Sequence, residues 1–103
     1  MNFEAALKQV IKDCEIKELN SGVFSGSWTG TENRKKLDSF SPINGKKIGS
    51  VALATNEDYN QVVKASKSAF EQWRTIPGPK RGEIIKQISD ELVHYKESLG
   101  LLV

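Results

Sequence analysis

S-P-I-N-G-K-K-I-G-S-V, residues Ser41 to Val51, is the stretch whose reading decides the fold. Asn-Gly is favoured where both central residues of a tight turn need positive φ, and here it lies between two runs of extended character. Leu37 to Ser41 and Lys47 to Ala54 therefore read as two strands joined by Pro42-Ile43-Asn44-Gly45 in an antiparallel hairpin. Gly49 marks the expected place of a bulge in the second strand.

Outward from the hairpin, Thr55 stops the extended run. With Asp58 three residues on it fits a relaxed capping box, in which side-chain oxygens accept from otherwise unpaired backbone N–H groups. A helix is predicted from there, with Tyr59, Val62, Val63, Ser66, Ala69, Phe70 and Trp73 on one face. Pro77 disfavours helical geometry at Ile76 and ends it. Gly78-Pro79 starts a second helix, where proline's missing N–H costs nothing. Its stripe runs Ile85, Ile88, Leu92, Tyr95, Leu99 and Leu102, and Gly100 is expected to weaken it so that Leu101 to Val103 begin another element.

In the other direction, Glu32, Arg34, Lys35 and Lys36 read as an exposed charged turn. V-F-S-G-S-W-T-G before it reads as a short strand or bulged extended segment, and Leu19 to Gly22 as a loop. Phe3, Leu7, Val10, Ile11 and Cys14 recur at helical spacing and predict a short helix beginning near Asn2.

The chain has 103 residues, 38% of them hydrophobic, enough for one modest core. Fifteen Lys and Arg against thirteen Asp and Glu are interspersed, so no basic block points to nucleic acid or an anionic membrane. A single cysteine cannot form an internal disulfide, and the acidic residues near the start argue against a transit peptide. A cytoplasmic setting is the expectation.

Candidate chemistry is sparse. Cys14 lies on the apolar side of its helix beside Asp13 and Glu15, which favours a packing residue over a reactive thiolate. His94 has no second His or Cys nearby to make a metal site. Asp90 and Glu91 are adjacent, so on a helix they point apart and do not form an acid–base pair. S-G-V-F-S-G-S-W-T-G lacks the Gly-Lys-Ser/Thr ending of a phosphate-binding loop. Lys80 and Arg81 at a helix start permit an anion or partner contact, with a surface role the stronger reading. Trp73 reads as core, and Trp28 as core or ligand platform. No catalytic, cofactor-binding or metal-ligating residue is assigned.

The Ser41–Val51 hairpin, the helix carrying Ala65, Ala69, Phe70 and Trp73, and Arg81-Gly82-Glu83-Ile84 followed by Leu92 together resemble the opening of an aldehyde dehydrogenase. G-V-F-S-G-S-W-T-G and I-P-G-P-K-R-G-E-I-I-K-Q-I carry a narrower resemblance, to the antiquitin branch of α-aminoadipic semialdehyde dehydrogenases. The resemblance implies an α/β fold, with a short helix, a small antiparallel hairpin and two long amphipathic helices of an NAD-binding domain. In such enzymes a thiolate attacks the aldehyde, hydride passes to nicotinamide, and an activated water releases the acid. The catalytic cysteine, glutamate and asparagine and the NAD-binding residues would then all lie past Val103, and Cys14 is no substitute for them. A small-molecule aldehyde substrate and a homo-oligomer, specifically a homotetramer, are also implied.

The apolar end Leu101-Leu102-Val103 reads as a chain interrupted before a parallel sheet. The expected organisation is 1–20 as helix, 21–54 as extended segment and hairpin, and 55–103 as two helices of an incomplete cofactor domain. The competing reading is a self-contained helical interaction module, whose exposed stripe recruits a partner.

Overall fold

A computed structural model describes residues 2–103. The fold is mixed α/β, with four helices and two small sheets among these residues. The order is α1 (Phe3–Asp13), β1 (Leu19–Ser21), β2 (Val23–Phe24), β3 (Trp28–Thr29), β4 (Lys36–Phe40), β5 (Lys47–Ala52), α2 (Asn56–Trp73), α3 (Gly78–His94) and α4 (Lys96–Leu102). The chain divides into two compact units, one holding the amino-terminal segment through Ile16 together with Arg74–Val103, the other Lys17–Trp73.

In the first unit, Asn2 caps α1, its side-chain oxygen accepting from the N–H groups of Glu4 and Ala5 at 3.1 and 3.3 Å. Those donors have no partner inside the helix, so the cap removes part of the cost of starting it. The far end closes with Glu15 at φ +54°. The Glu15 N–H donates to the Lys12 carbonyl, and the Ile16 N–H reaches back to Ile11 at 2.9 Å. This paired arrangement usually employs glycine at the left-handed position. Val10 is buried, α1 packs against α4, and the Ser98 hydroxyl donates to Asp13 at 3.3 Å.

The long final helix predicted from the sequence is broken. α3 ends at His94, Tyr95 leaves helical geometry (φ −95°, ψ 9°), and α4 follows directly. The break falls five residues before the expected weak point, and Gly100 lies inside α4. Pro79 falls at the start of α3 as expected. α2 stops at Trp73, before Pro77 comes into play.

The second unit is built on β5. It pairs antiparallel with β4 and parallel with β1, giving the order β1-β5-β4. The hairpin expected from Ser41–Val51 is present, but its turn is wider than Asn-Gly suggested. Only Gly45 has positive φ (+69°) there, and its N–H donates to the Ser41 carbonyl at 2.8 Å. The Ser41 N–H donates to Lys46, the Ser41 hydroxyl oxygen accepts from Ile43 N–H, and the Asn44 side chain accepts from Lys46 N–H. Asn44 thus serves as a side-chain brace, not as a second left-handed residue. Ser39 faces Gly49 while Phe40 faces Lys47, so Ile48 is the extra residue of a bulge next to Gly49.

Leu19–Ser21, expected as loop, is strand β1. Beside its backbone pairing with β5, it is braced by Asn20, whose oxygen accepts from Lys17 N–H at 2.9 Å and whose amide donates to the carbonyls of Lys17 (2.7 Å) and Ser50 (3.1 Å). Three residues are too few for alternation to show in the sequence. Next to it, Gly22 lets the backbones close up: a Cβ there would meet the Ala52 carbonyl oxygen at 2.5 Å. The glycine-containing stretch after it folds as a miniature hairpin, β2 against β3, turning at Gly26 (φ +108°). The Ser21 hydroxyl approaches the carbonyls of Val23 and Thr29 at its open end.

Two substitutions test these backbone readings by chemical denaturation. Gly22→Ala forces β1 and β5 apart and should lower stability. Glu15→Gly relieves a left-handed non-glycine residue and should raise it by roughly 0.5–1 kcal/mol.

Candidate functional site

The most organised polar cluster joins the β3–β4 connection to the start of α2. Arg34 donates through Nε and Nη2 to the two carboxylate oxygens of Asp58, at 2.8 and 2.9 Å, and through Nη1 to the Glu32 carbonyl. Asp58 is 7% exposed. The same carboxylate accepts from Thr55 N–H at 2.9 Å, while the Thr55 hydroxyl accepts from Asp58 N–H at 3.1 Å. The expected capping box is therefore formed, with Asp in the place more often held by Glu. The neighbouring backbone turns at Gly30 with φ +78°.

Arg34, read from sequence as one of a run of exposed surface charges, is instead the partner of a buried carboxylate. The Arg34 guanidinium, followed by the Thr55 N–H and hydroxyl, holds the Asp58 carboxyl far below the usual carboxylate range. Arg34 is in turn raised, chiefly by its hydrogen bond to Asp58. With both of its oxygens engaged, the carboxylate holds the β3–β4 connection against the start of α2. Asp38 on β4 is similar. The Ser50 hydroxyl, then Lys47 at 3.4 Å, hold it below its ordinary value.

A groove of about 410 Å³ lies in the first unit, lined by Cys14, Ile88, Leu92, Tyr95 and Leu99 together with Asp13, Glu15 and Glu91. Cys14 is half-buried at the end of α1, on an apolar floor as expected. His94 stands edge-on to Tyr95 with ring centres 4.9 Å apart, and among the described residues no group of His, Cys, Asp and Glu could hold a metal. Asp90 pairs with Lys86 one turn away on an exposed face, apart from Glu91. Arg81 is half-buried, with its Nε lacking a partner, and Lys80 is exposed. Trp73 is half-buried, whereas Trp28 is 69% exposed and stands edge-on to Phe24.

Much of the apolar surface of the helices is open. On α2 the inner line is Asp58, Val62 and Ala65, so Tyr59, Val63 and Phe70 of the predicted face lie exposed. No residue of α3 is buried, and Leu92 at the middle of its stripe is 59% exposed. No helix among the described residues is long and apolar enough to cross a membrane.

This combination of a bulged hairpin, a capped helix and a second helix opening on Gly-Pro is matched by the aldehyde dehydrogenase family model over residues 28–103, and the chain belongs to that family. It is 38% identical over 93 residues to the α-aminoadipic semialdehyde dehydrogenase of Rattus norvegicus, covering 90% of this chain and 17% of the rat protein. It is 39% identical over 94 residues to aldehyde dehydrogenase family 7 member A1 of Pisum sativum, covering 90% and 18%. A malonate-semialdehyde dehydrogenase of Oceanobacillus iheyensis is 32% identical over 80 residues, covering 78% and 16%. The chain thus spans about a sixth of the length of these curated relatives.

Because the Asp58 pKa is depressed in the folded state, its contribution to stability is present above the unfolded carboxylate value of about 3.9 and is lost as pH falls below it. Acid unfolding followed by far-UV circular dichroism should therefore shift to higher pH in Asp58→Asn, which also loses the anionic partner of Arg34. Thr55→Ala should cost about 0.5–2 kcal/mol at neutral pH, as a lost helix cap does.

Proposed function

We propose that these residues are the opening scaffold of an NAD-dependent aldehyde dehydrogenase that oxidises a small aldehyde to its carboxylic acid. α-Aminoadipic semialdehyde is the leading substrate class. The observation that carries the reading is identity of 36–39% to relatives that include proteins named for that substrate, sustained over 90% of the chain. Residues 2–103 contribute shape and no chemistry in this reading. The Arg34–Asp58–Thr55 cluster is consumed in holding backbone, and Cys14 sits in an apolar groove.

The described residues do not fit a dinucleotide. A cradle for its phosphates needs a strand, a glycine loop and a helix N-terminus in sequence, whereas the glycine-containing stretch here folds into the β2–β3 hairpin. The groups that hold NAD in this proposal therefore belong to a longer polypeptide, and no step is routed through them. The open stripes of α2 and α3 support the same reading, since helices that cover a sheet present such faces. A cytoplasmic homotetramer completes the proposal. The single cysteine supports the compartment, and the aldehyde dehydrogenase relationship supports the homo-oligomer.

The test is the whole gene product. Incubated with NAD and a panel of aldehydes, it should produce NADH, with the highest kcat/KM on a semialdehyde bearing a distal amino acid group. Absence of NADH with every aldehyde overturns the enzyme reading. The 103-residue chain should show no saturable NAD binding in calorimetric titration, and micromolar binding would refute the scaffold assignment.

A further inference from the structure

The three-stranded sheet has an open side at β4, all five of whose residues are exposed. The Leu53 N–H donates to the Lys35 carbonyl at 2.8 Å, so Lys35 directs its backbone groups toward β5. In an antiparallel pair that direction alternates along the strand. Leu37 and Ser39 therefore also face β5, which leaves the N–H and C=O groups of Lys36, Asp38 and Phe40 on the open edge. On one face of the sheet Leu37, 62% exposed, lies directly opposite Val51, 38% exposed. Lys36 and Asp38 lie on the other face.

A lysine on an open edge is an ordinary defence against stray strands. Here it is followed two residues later by Asp38, which within the chain accepts from the Ser50 hydroxyl and lies 3.4 Å from Lys47 yet keeps 43% of its side chain exposed, and that spacing makes the edge complementary to itself. When two copies of β4 run antiparallel about a two-fold axis at Leu37, Lys36 of each copy lies opposite Asp38 of the other, and both residues direct their backbone groups across the junction. Axes at Lys36 or Asp38 would oppose like charges, and one at Ser39 would set Asp38 against Phe40. Only the axis at Leu37 unites backbone pairing with charge pairing. It also joins the two Leu37 side chains into an apolar strip running from Val51 to Val51 across a six-stranded sheet.

We propose that β4 is a self-recognition edge, pairing antiparallel with β4 of a second copy in the register that sets Leu37 against Leu37. Lys36 deters partners that lack a carboxylate at the opposing position, and the second copy supplies one. The proposal deepens the homo-oligomer reading and rests on it. Five residues per strand make a small contact, well below the area of a stable dimer, so the pairing is weak on its own.

Covalent capture suits a weak contact, and Cys14 is the single cysteine of the 103 residues. In a Cys14→Ser background, Leu37→Cys places two thiols at directly facing positions, within the Cα separation a disulfide spans. Ser39→Cys sets its thiol opposite Lys35. Under mild oxidation of the full chain, Leu37→Cys should give disulfide-linked dimer roughly ten-fold faster than Ser39→Cys, with circular dichroism verifying that both are folded. Adding Asp38→Lys to the Leu37→Cys chain should abolish that preference, and further adding Lys36→Asp, which restores opposite charges across the axis, should recover it. Equal capture at positions 37 and 39, with the chain self-associating by sedimentation velocity, overturns the edge register and leaves self-association standing. A chain that stays monomeric by sedimentation and gives no dimer at position 37 overturns both for these residues.

Discussion

One carboxylate ties the second unit together. Asp58 accepts from both prongs of the Arg34 guanidinium and from the N–H of Thr55, so it is at once the anchor of the β3–β4 connection and half of the cap that starts α2. A buried carboxylate without such partners would be costly, and an arginine fork without its carboxylate would be equally stranded. Three stretches separated in sequence are thereby made to agree on one geometry. Few apolar side chains are available to do this instead. Among the described residues only Val23 and Ala52 of this unit are buried hydrophobics.

Much of the local structure was readable because local chemistry dictates it. Asn2, Thr55 and Pro79 mark helix starts through groups that act within one turn, and each lies at the start the sequence indicated. The hairpin was readable for a related reason, yet its turn was not. Asn44 can supply either a left-handed residue or a side-chain acceptor, and only the assembled loop decides between them. What could not be read came from partners far along the chain. β1 is a strand because its backbone pairs with Ser50 to Ala52 and Asn20 reaches Ser50, thirty positions away. Arg34 looked like another surface charge because nothing near it reveals Asp58. The break at Tyr95 lacks even that account: a residue common in helices ends α3 there, and no local signal explains it.

The same distinction governs the search for chemistry. Cysteine, histidine and adjacent acids are easy to find in a sequence, and in the fold each takes a structural or solvent-facing place. The organised cluster was half visible, through Thr55 and Asp58, and its organising cation was missed. Family membership rests on the order of the hairpin and the helices, elements that shape a domain. Much of the apolar surface of those helices stays open.

The parallel pairing of β1 with β5 sets an order of events during synthesis. β1 leaves the ribosome first but has no partner until Ser50 to Ala52 emerge, by which time β4 and β5 have the short connection needed to pair with each other. Closing the longer loop costs more entropy, and translation at about 5–20 residues per second imposes a wait of a few seconds. The earliest strand to be made thus waits longest for its partner. During that interval Leu19 to Ser21 are open to whatever meets nascent chains, and the docking of Asn20 ends the exposure.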